Sequence, residues 1–477
     1  MASSTSSLSL KDLPARALAR LKRTSTASLI FYVLSILLLL LPQVLPNAGD
    51  SEFLRLPRIW SGDEPAYLVQ ITSAARDFDA DLSNNYDSAL AGGDDAGERR
   101  RGALLDRHLA AGFHGHTAIW HEFYDSDAWK HAEHHVWPPP RIPNTPEPPD
   151  FRYSSHPDGL IVLLTPVWLV FGHTSLLEPA VVFCSGLTAI ALLFLLRAWM
   201  RTLTDDKLSI YVALAATMFG TPLWHYGRSI FNEIYLATFA AAIYFIAFHS
   251  KRRWLFGVPI ALGLLMKPFF LLLGLPAFFV LRRSFKELFL ACVPIGMAGV
   301  YVLVTNWLHF GSPLLFPQPS QYFAWSPTAA TGLLFDAKHG LLPYAPVLLV
   351  ALLGWPALLR ARPLEATLVA AGAASYSAIF LFVGFWDGGF CFGPRYLLPT
   401  IPLWMLGMTQ LRSTFVGRKP WAVALAALIG LTSVTINALG ALPYSRSWNK
   451  HPLSPYLEDT PALFPHDKPK HKHHRKR

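Results

Sequence analysis

The chain alternates between long apolar blocks and short polar or basic segments. Apolar runs cover 28–45, 176–196, 234–248 and 421–442 almost without a charge. A helix needs about 20 such residues to cross a bilayer core, and by that rule residues 28–442 divide into about eleven spans. They fall at 28–46, 176–197, 208–223, 230–249, 254–267, 268–281, 286–306, 341–360, 364–385, 395–411 and 420–442. At Lys267-Pro268 the pattern admits either two short helices or one kinked helix. The block 160–171 is shorter, starts after Pro157-Asp158-Gly159 and contains Pro166. It fits a helix lying in the interface or re-entering from it.

Charge orients these spans. Lys11, Arg16, Arg20, Lys22 and Arg23 precede the first block, and no small-residue cleavage site follows it, so it reads as an uncleaved first span with a cytoplasmic basic tail, 1–27. If 160–171 does not span, every basic cluster between spans falls on the cytoplasmic side. Those clusters are Arg197, Arg201 and Lys207; Lys251, Arg252 and Arg253; Arg282, Arg283 and Lys286; Arg360 and Arg362; and Arg412, Arg418 and Lys419. The odd count leaves the polar tail 443–477 outside, although its end is strongly basic, and its composition predicts disorder. The net charge of +10 is thereby used in orientation rather than nucleic-acid binding, and only 15% of residues are charged, against about 25% in soluble domains. Cys184 and Cys292 lie in apolar blocks and only Cys391 lies near a loop, so there is no disulfide framework.

Two large segments then face away from the cytoplasm, 47–157 and 307–340. The first contains Ser61-Gly62-Asp63-Glu64-Pro65-Ala66-Tyr67-Leu68, followed by helical spacing over 67–78. Asp63 is therefore either a helix cap or a general base held at the membrane surface. Asp77, Asp79 and Asp81, followed by Asn84-Asn85-Tyr86, suit contact with a sugar or a divalent cation, or solvated turns. The membrane-proximal outer segments carry only isolated cations, Arg228, Lys267, Lys338 and Arg395. Such cations either converge on a phosphate or pyrophosphate or snorkel to lipid headgroups. Arg395 stands in Trp386-Asp387-Gly388-Gly389-Phe390-Cys391-Phe392-Gly393-Pro394-Arg395-Tyr396, where glycines permit close backbone approach. Glu233, one turn from Arg228, could pair with it or bind substrate. Histidines crowd 108–135, some at i, i+3 and i+4 spacing, and read as zinc ligands or as surface residues. His156 precedes the interfacial helix, where an anion is favoured.

Together, Gly62-Asp63-Glu64-Pro65-x-Tyr67, Asp79-x-Asp81-Leu82, Asn84-Asn85-Tyr86, His156-Pro157-x-Gly159-Leu160 and Phe392-Gly393-Pro394-Arg395-Tyr396-Leu397-Leu398-Pro399 resemble the bacterial GT-C glycosyltransferases. That superfamily includes protein O-mannosyltransferases and the lipid A aminoarabinose transferase. The resemblance implies an all-α polytopic membrane protein over 28–442, with interfacial helices in a large first extracytoplasmic loop. It implies transfer from a polyprenyl-phosphate sugar to a glycan, lipid or protein hydroxyl at the outer side of a bacterial inner or plasma membrane. Asp63 would be the base, Glu64 the second acid, and Arg395 the holder of the donor phosphate, helped by Lys267 and Arg228. Expected substrate contacts are Tyr67, Asp79, Asp81, His156, Glu233, Trp386, Asp387 and Tyr396. No cofactor is called for beyond a possible divalent cation. The His-rich insertion and the lack of a large C-terminal soluble domain depart from better-known members and leave the acceptor open.

A transporter or flippase of lipid-linked glycans is the alternative from another class, and a surface-glycan ligase or polymerase a third. Transporters carry ionisable residues near the midplane and often internal repeats. This sequence has few charges deep in its spans and no evident repeat, which favours the enzyme.

Overall fold

The computed structural model describes residues 26–41, 43–44, 54–55, 64–78, 117–119, 152–154, 156–172, 174, 176–310, 312–314, 325–383, 386–388 and 391–442. Asp63, Asp79, Asp81, the histidines of 108–135 and the tail 443–477 lie outside them. The described chain is helical apart from two small antiparallel ladders, 43–44 with 54–55 and 117–119 with 152–154. Each of the eleven predicted spans contains helix, but among the described residues three helices are long and apolar enough, by length and composition, to cross a membrane: Leu177–Leu203, Phe285–His309 and Pro420–Ala441.

The last two expose most of their surface, and Phe289, Met297, Val300, Trp421 and Leu431 stand bare on them. Apolar side chains left uncovered along a whole helix suit contact with lipid. The Asn232–His249 helix is the opposite case, since its first half is almost wholly buried. It packs against the Leu177–Leu203 helix, the Gly257–Met266 helix and the Arg395–Thr400 turn. Ala237, Ala240 and Ala241 allow the close approach.

The ambiguity at Lys267 resolves into a hairpin. Phe256 meets Phe278 with ring centroids 5.0 Å apart, and Gly274 faces Ile260 and Gly263 faces Phe270. These pairings run antiparallel, so the chain reverses at Lys267, whose backbone is extended. Pro268 supports the reversal, because the residue before proline disfavours the helical region. Each arm reaches only about 20 Å at 1.5 Å per residue, so Lys267 stands at a hairpin tip. The expected span 395–411 is also not one α-helix. It runs as alternating 3-10 and α turns from Arg395 to Phe415, with Pro399 and Pro402 each removing a backbone donor.

Polar side chains are buried at both ends of the Asn232–His249 helix. At one end, His249 Nε2 lies 2.8 Å from Glu365 Oε1, which also accepts from Trp199 Nε1 at 2.6 Å. At the other end is Glu233, with Lys267 and Arg395. Sixteen residues separate the two layers, about 24 Å along a helix.

Candidate functional site

The site is assembled on the segment 230–233, where the chain leaves a short turn, Leu223–Tyr226, and enters the Asn232–His249 helix. Glu64 opens the Glu64–Thr72 helix, a position where the helix dipole favours an acid. Its Oε1 accepts the backbone N–H of Ile230 at 2.9 Å, and the side chain is fully buried. Tyr67, one turn on and on the same face, accepts a hydrogen bond from Asn232 Nδ2 at 2.9 Å. Its ring lies 4.9 Å from that of His156. Gln70 Nε2 donates to the His156 carbonyl, and Trp168 Nε1 donates to Thr72 Oγ1 at 3.1 Å. The acidic helix is thus fastened to 230–232 on one side and to the Gly159–Phe171 helix on the other. At 13 residues, or about 20 Å, that second helix is short for a bilayer core. Its first residue, Gly159, abuts the backbone of Leu265 and Met266, one residue from Lys267.

Glu233 faces the other way. Its Oε1 accepts from Arg395 Nε at 2.8 Å and from Lys267 Nζ at 3.4 Å. Arg395 also lies over the Phe231 ring at 4.9 Å, and Lys267 over the Tyr396 ring at 4.4 Å. Two cations from distant parts of the chain meet at one buried carboxylate. Breaking such a pair by removing one partner is far more damaging than the pair is stabilising, since it strands a charge away from water.

Several polar atoms beside this cluster accept or donate nothing among the described residues. They are Glu233 Oε2, Asn232 Oδ1 and the Tyr376 hydroxyl. Tyr376 stands in the field of Glu233, Tyr396 and Arg395. An unmade hydrogen bond at a buried group costs about 1–3 kcal/mol, so Glu233 Oε2 and the Tyr376 hydroxyl, on the Arg395 side, ask for an external partner.

The loop before Arg395 keeps its glycines for a reason. Gly388 and Gly393 have φ of 76° and 71°, a region costly for other residues. A Cβ on Gly388 would lie 3.4 Å from Arg395 Cβ, and one on Gly393 would strike the Tyr344 ring. Cys391 Sγ donates to the carbonyls of Asp387 and Gly393. Trp386 packs on Gly332, Asp387 is half-exposed, and Tyr396 stacks on Phe380 at 4.8 Å.

Of the sequence-picked residues, the structure therefore brings Glu233, Lys267, Arg395 and Tyr396 together, and joins Glu64, Tyr67 and His156 through the same 230–232 segment. Arg228 stands apart in its bonding. Its guanidinium donates to the carbonyls of Leu38 and Leu41 at the end of the Thr26–Leu40 helix, where cations satisfy orphaned carbonyls. Glu233 pairs with Arg395 and Lys267 instead of Arg228. Asn232 and Tyr376 went unnoticed in the sequence. An Asn-Glu pair opening an apolar helix was a usable signal for the first, whereas a lone tyrosine in an apolar run signals nothing. Among the described residues no group of three or more His, Cys, Asp or Glu is placed to hold a metal ion.

No family model and no curated protein matches this chain. Among solved structures it is similar to ArnT from Cupriavidus metallidurans in the apo state, with a TM-score of 0.44 and 12% identity, covering 84% of this chain and 62% of that one. It is also similar to ArnT from the same organism bound to undecaprenyl phosphate, with a TM-score of 0.38 and 14% identity, covering 60% of this chain and 61% of that one. The chain thus spans under two thirds of the length of either. Likenesses this distant leave its function to be read from its own residues.

Proposed function

We propose that this protein is a polytopic membrane glycosyltransferase that moves a sugar from a polyprenyl-phosphate donor to an acceptor hydroxyl at the extracytoplasmic surface. The observation that supports it best is that one short segment, 230–233, gathers two cations at a buried acid and also fastens the Glu64–Thr72 helix, which follows Asp63 in sequence. Ile230 and Asn232 tie down the helix that begins one residue after Asp63. Glu233 gathers Lys267 and Arg395. In this reading Asp63 takes the proton of the acceptor hydroxyl. The acceptor oxygen bonds to the anomeric carbon as the carbon–oxygen bond to phosphate breaks. The electron pair leaves with the polyprenyl phosphate, whose charge Arg395 and Lys267 stabilise. Arg228 is assigned to the first helix rather than to the phosphate. A divalent cation, if used, would draw on acids such as Asp79 and Asp81.

The test is transfer in proteoliposomes from a panel of glycosyl undecaprenyl phosphates to cell-envelope acceptors, with and without chelator. Label should pass to an acceptor from at least one donor, and a chelator-independent rate would remove the cation. A transporter reading draws support from the buried charges on broken helices. It requires the label to cross the bilayer without any acceptor, and movement without transfer would replace the enzyme with a flippase.

A further inference from the structure

Glu233 uses one carboxylate oxygen for both of its cations, and the second is left over. That oxygen is buried and accepts nothing among the described residues. An ionised carboxylate can only accept, so whatever completes it must carry O–H or N–H. The Tyr376 hydroxyl is equally buried, equally partnerless among the described residues, and stands in the field of the same carboxylate and of Arg395. It can donate or accept. Its ring is fixed by Phe270 and Phe380, at centroid distances of 6.1 and 5.3 Å, and Phe380 in turn stacks on Tyr396 beside Lys267. A rigid acceptor and a rigid hydroxyl therefore flank a pair of cations. A ligand matching all of them has an anionic group with hydroxyls a bond or two away, which describes a glycosyl phosphate.

We propose that Glu233 Oε2 and the Tyr376 hydroxyl form the glycosyl subsite, taking hydrogen bonds with the sugar hydroxyls nearest the phosphate while Lys267 and Arg395 hold the phosphate itself. This rests on the donor reading above and adds to it the residues that read the sugar. Glu233 then has two tasks on two oxygens, orienting the cations with one and reading the sugar with the other. No bond is made or broken at this subsite.

The experiment separates sugar from phosphate. Purified full-length protein in nanodiscs is titrated with undecaprenyl phosphate and with its glucosyl, mannosyl and arabinosyl forms. The wild type should bind at least one glycosyl form more tightly than undecaprenyl phosphate. Tyr376→Phe and Glu233→Gln should each shrink that gain on the order of tenfold, and Tyr376→Phe, which leaves Glu233 and both cations in place, should bind undecaprenyl phosphate as the wild type does. Tyr376→Phe, which removes an unsatisfied hydroxyl, should also melt no lower than wild type without ligand. Equal weakening of all ligands in both variants would make these residues structural and overturn the subsite. So would a wild type that binds no glycosyl form better than undecaprenyl phosphate, a result that needs no variant and leaves the donor reading standing. Failure to bind undecaprenyl phosphate at all would overturn the donor reading, and the subsite with it.

Discussion

Glu233, Lys267 and Arg395 were each legible in the sequence as lone ionisable residues where the topology disfavours them. Their union was not, because 34 and 162 residues separate the two cations from the acid. Arg228, the cation nearest Glu233 in sequence, bonds backbone carbonyls of another helix. Local spacing shows which charges are out of place, but only the packing of distant segments decides which meet. The buried pair gives a sharp expectation. Arg395→Met should lower stability by about 1.5–3 kcal/mol, because it removes a charge-assisted hydrogen bond and leaves the buried Glu233 carboxylate only its longer contact with Lys267, read as a loss of melting temperature in detergent. Adding Glu233→Gln should restore much of that loss, because the charge to be stranded is gone. Strictly additive losses would show that the two side chains do not depend on each other.

Among the elements, the apolar blocks marked where helices run but not how they end. The first helix stops at Leu40 rather than 46, just ahead of Pro42. The 395–411 block breaks into 3-10 turns at prolines that were visible beforehand. Composition is blind to this, since a broken buried segment is as apolar as a straight one. Asp206 caps the Lys207–Phe219 helix, accepting from Leu208 N and Ser209 Oγ, and these bonds hold its carboxyl below the usual carboxylate range, that of Ser209 foremost. A depressed carboxylate stabilises the fold above its unfolded value of 3.8 and loses that stability as pH falls through the folded value. Asp206→Ala should therefore cost about 1 kcal/mol at pH 7, and melting curves should show the gap from wild type closing below pH 3.8. The hairpin makes a second contrast. A Cβ on Gly263 would lie 1.9 Å from the Phe270 ring, whereas one on Gly296 meets nothing within 4 Å. Gly263→Ala should lower stability by about 1–3 kcal/mol. Gly296→Ala, in an exposed helix, should be neutral or slightly stabilising.

At the scale of the molecule, two buried polar layers lie at opposite ends of the Asn232–His249 helix, and the proposed orientation puts the Glu233 layer outside. In a background with Cys184, Cys292 and Cys391 replaced by serine, a membrane-impermeant maleimide should label Arg252→Cys only from the cytoplasm and Lys338→Cys only from the other side. Labelling of both from one side would overturn the orientation and the surface assigned to Asp63. The proposed mechanism turns on that acid. The direct measurement is release of undecaprenyl phosphate from glycosyl undecaprenyl phosphates, with envelope acceptors, by wild-type and Asp63→Asn protein in proteoliposomes. Catalysis by an Asp63 base predicts a rate at least on the order of a hundredfold lower in the variant, with undecaprenyl phosphate still bound and the protein still inserted. An Asp63→Asn protein that transfers at the wild-type rate would contradict it.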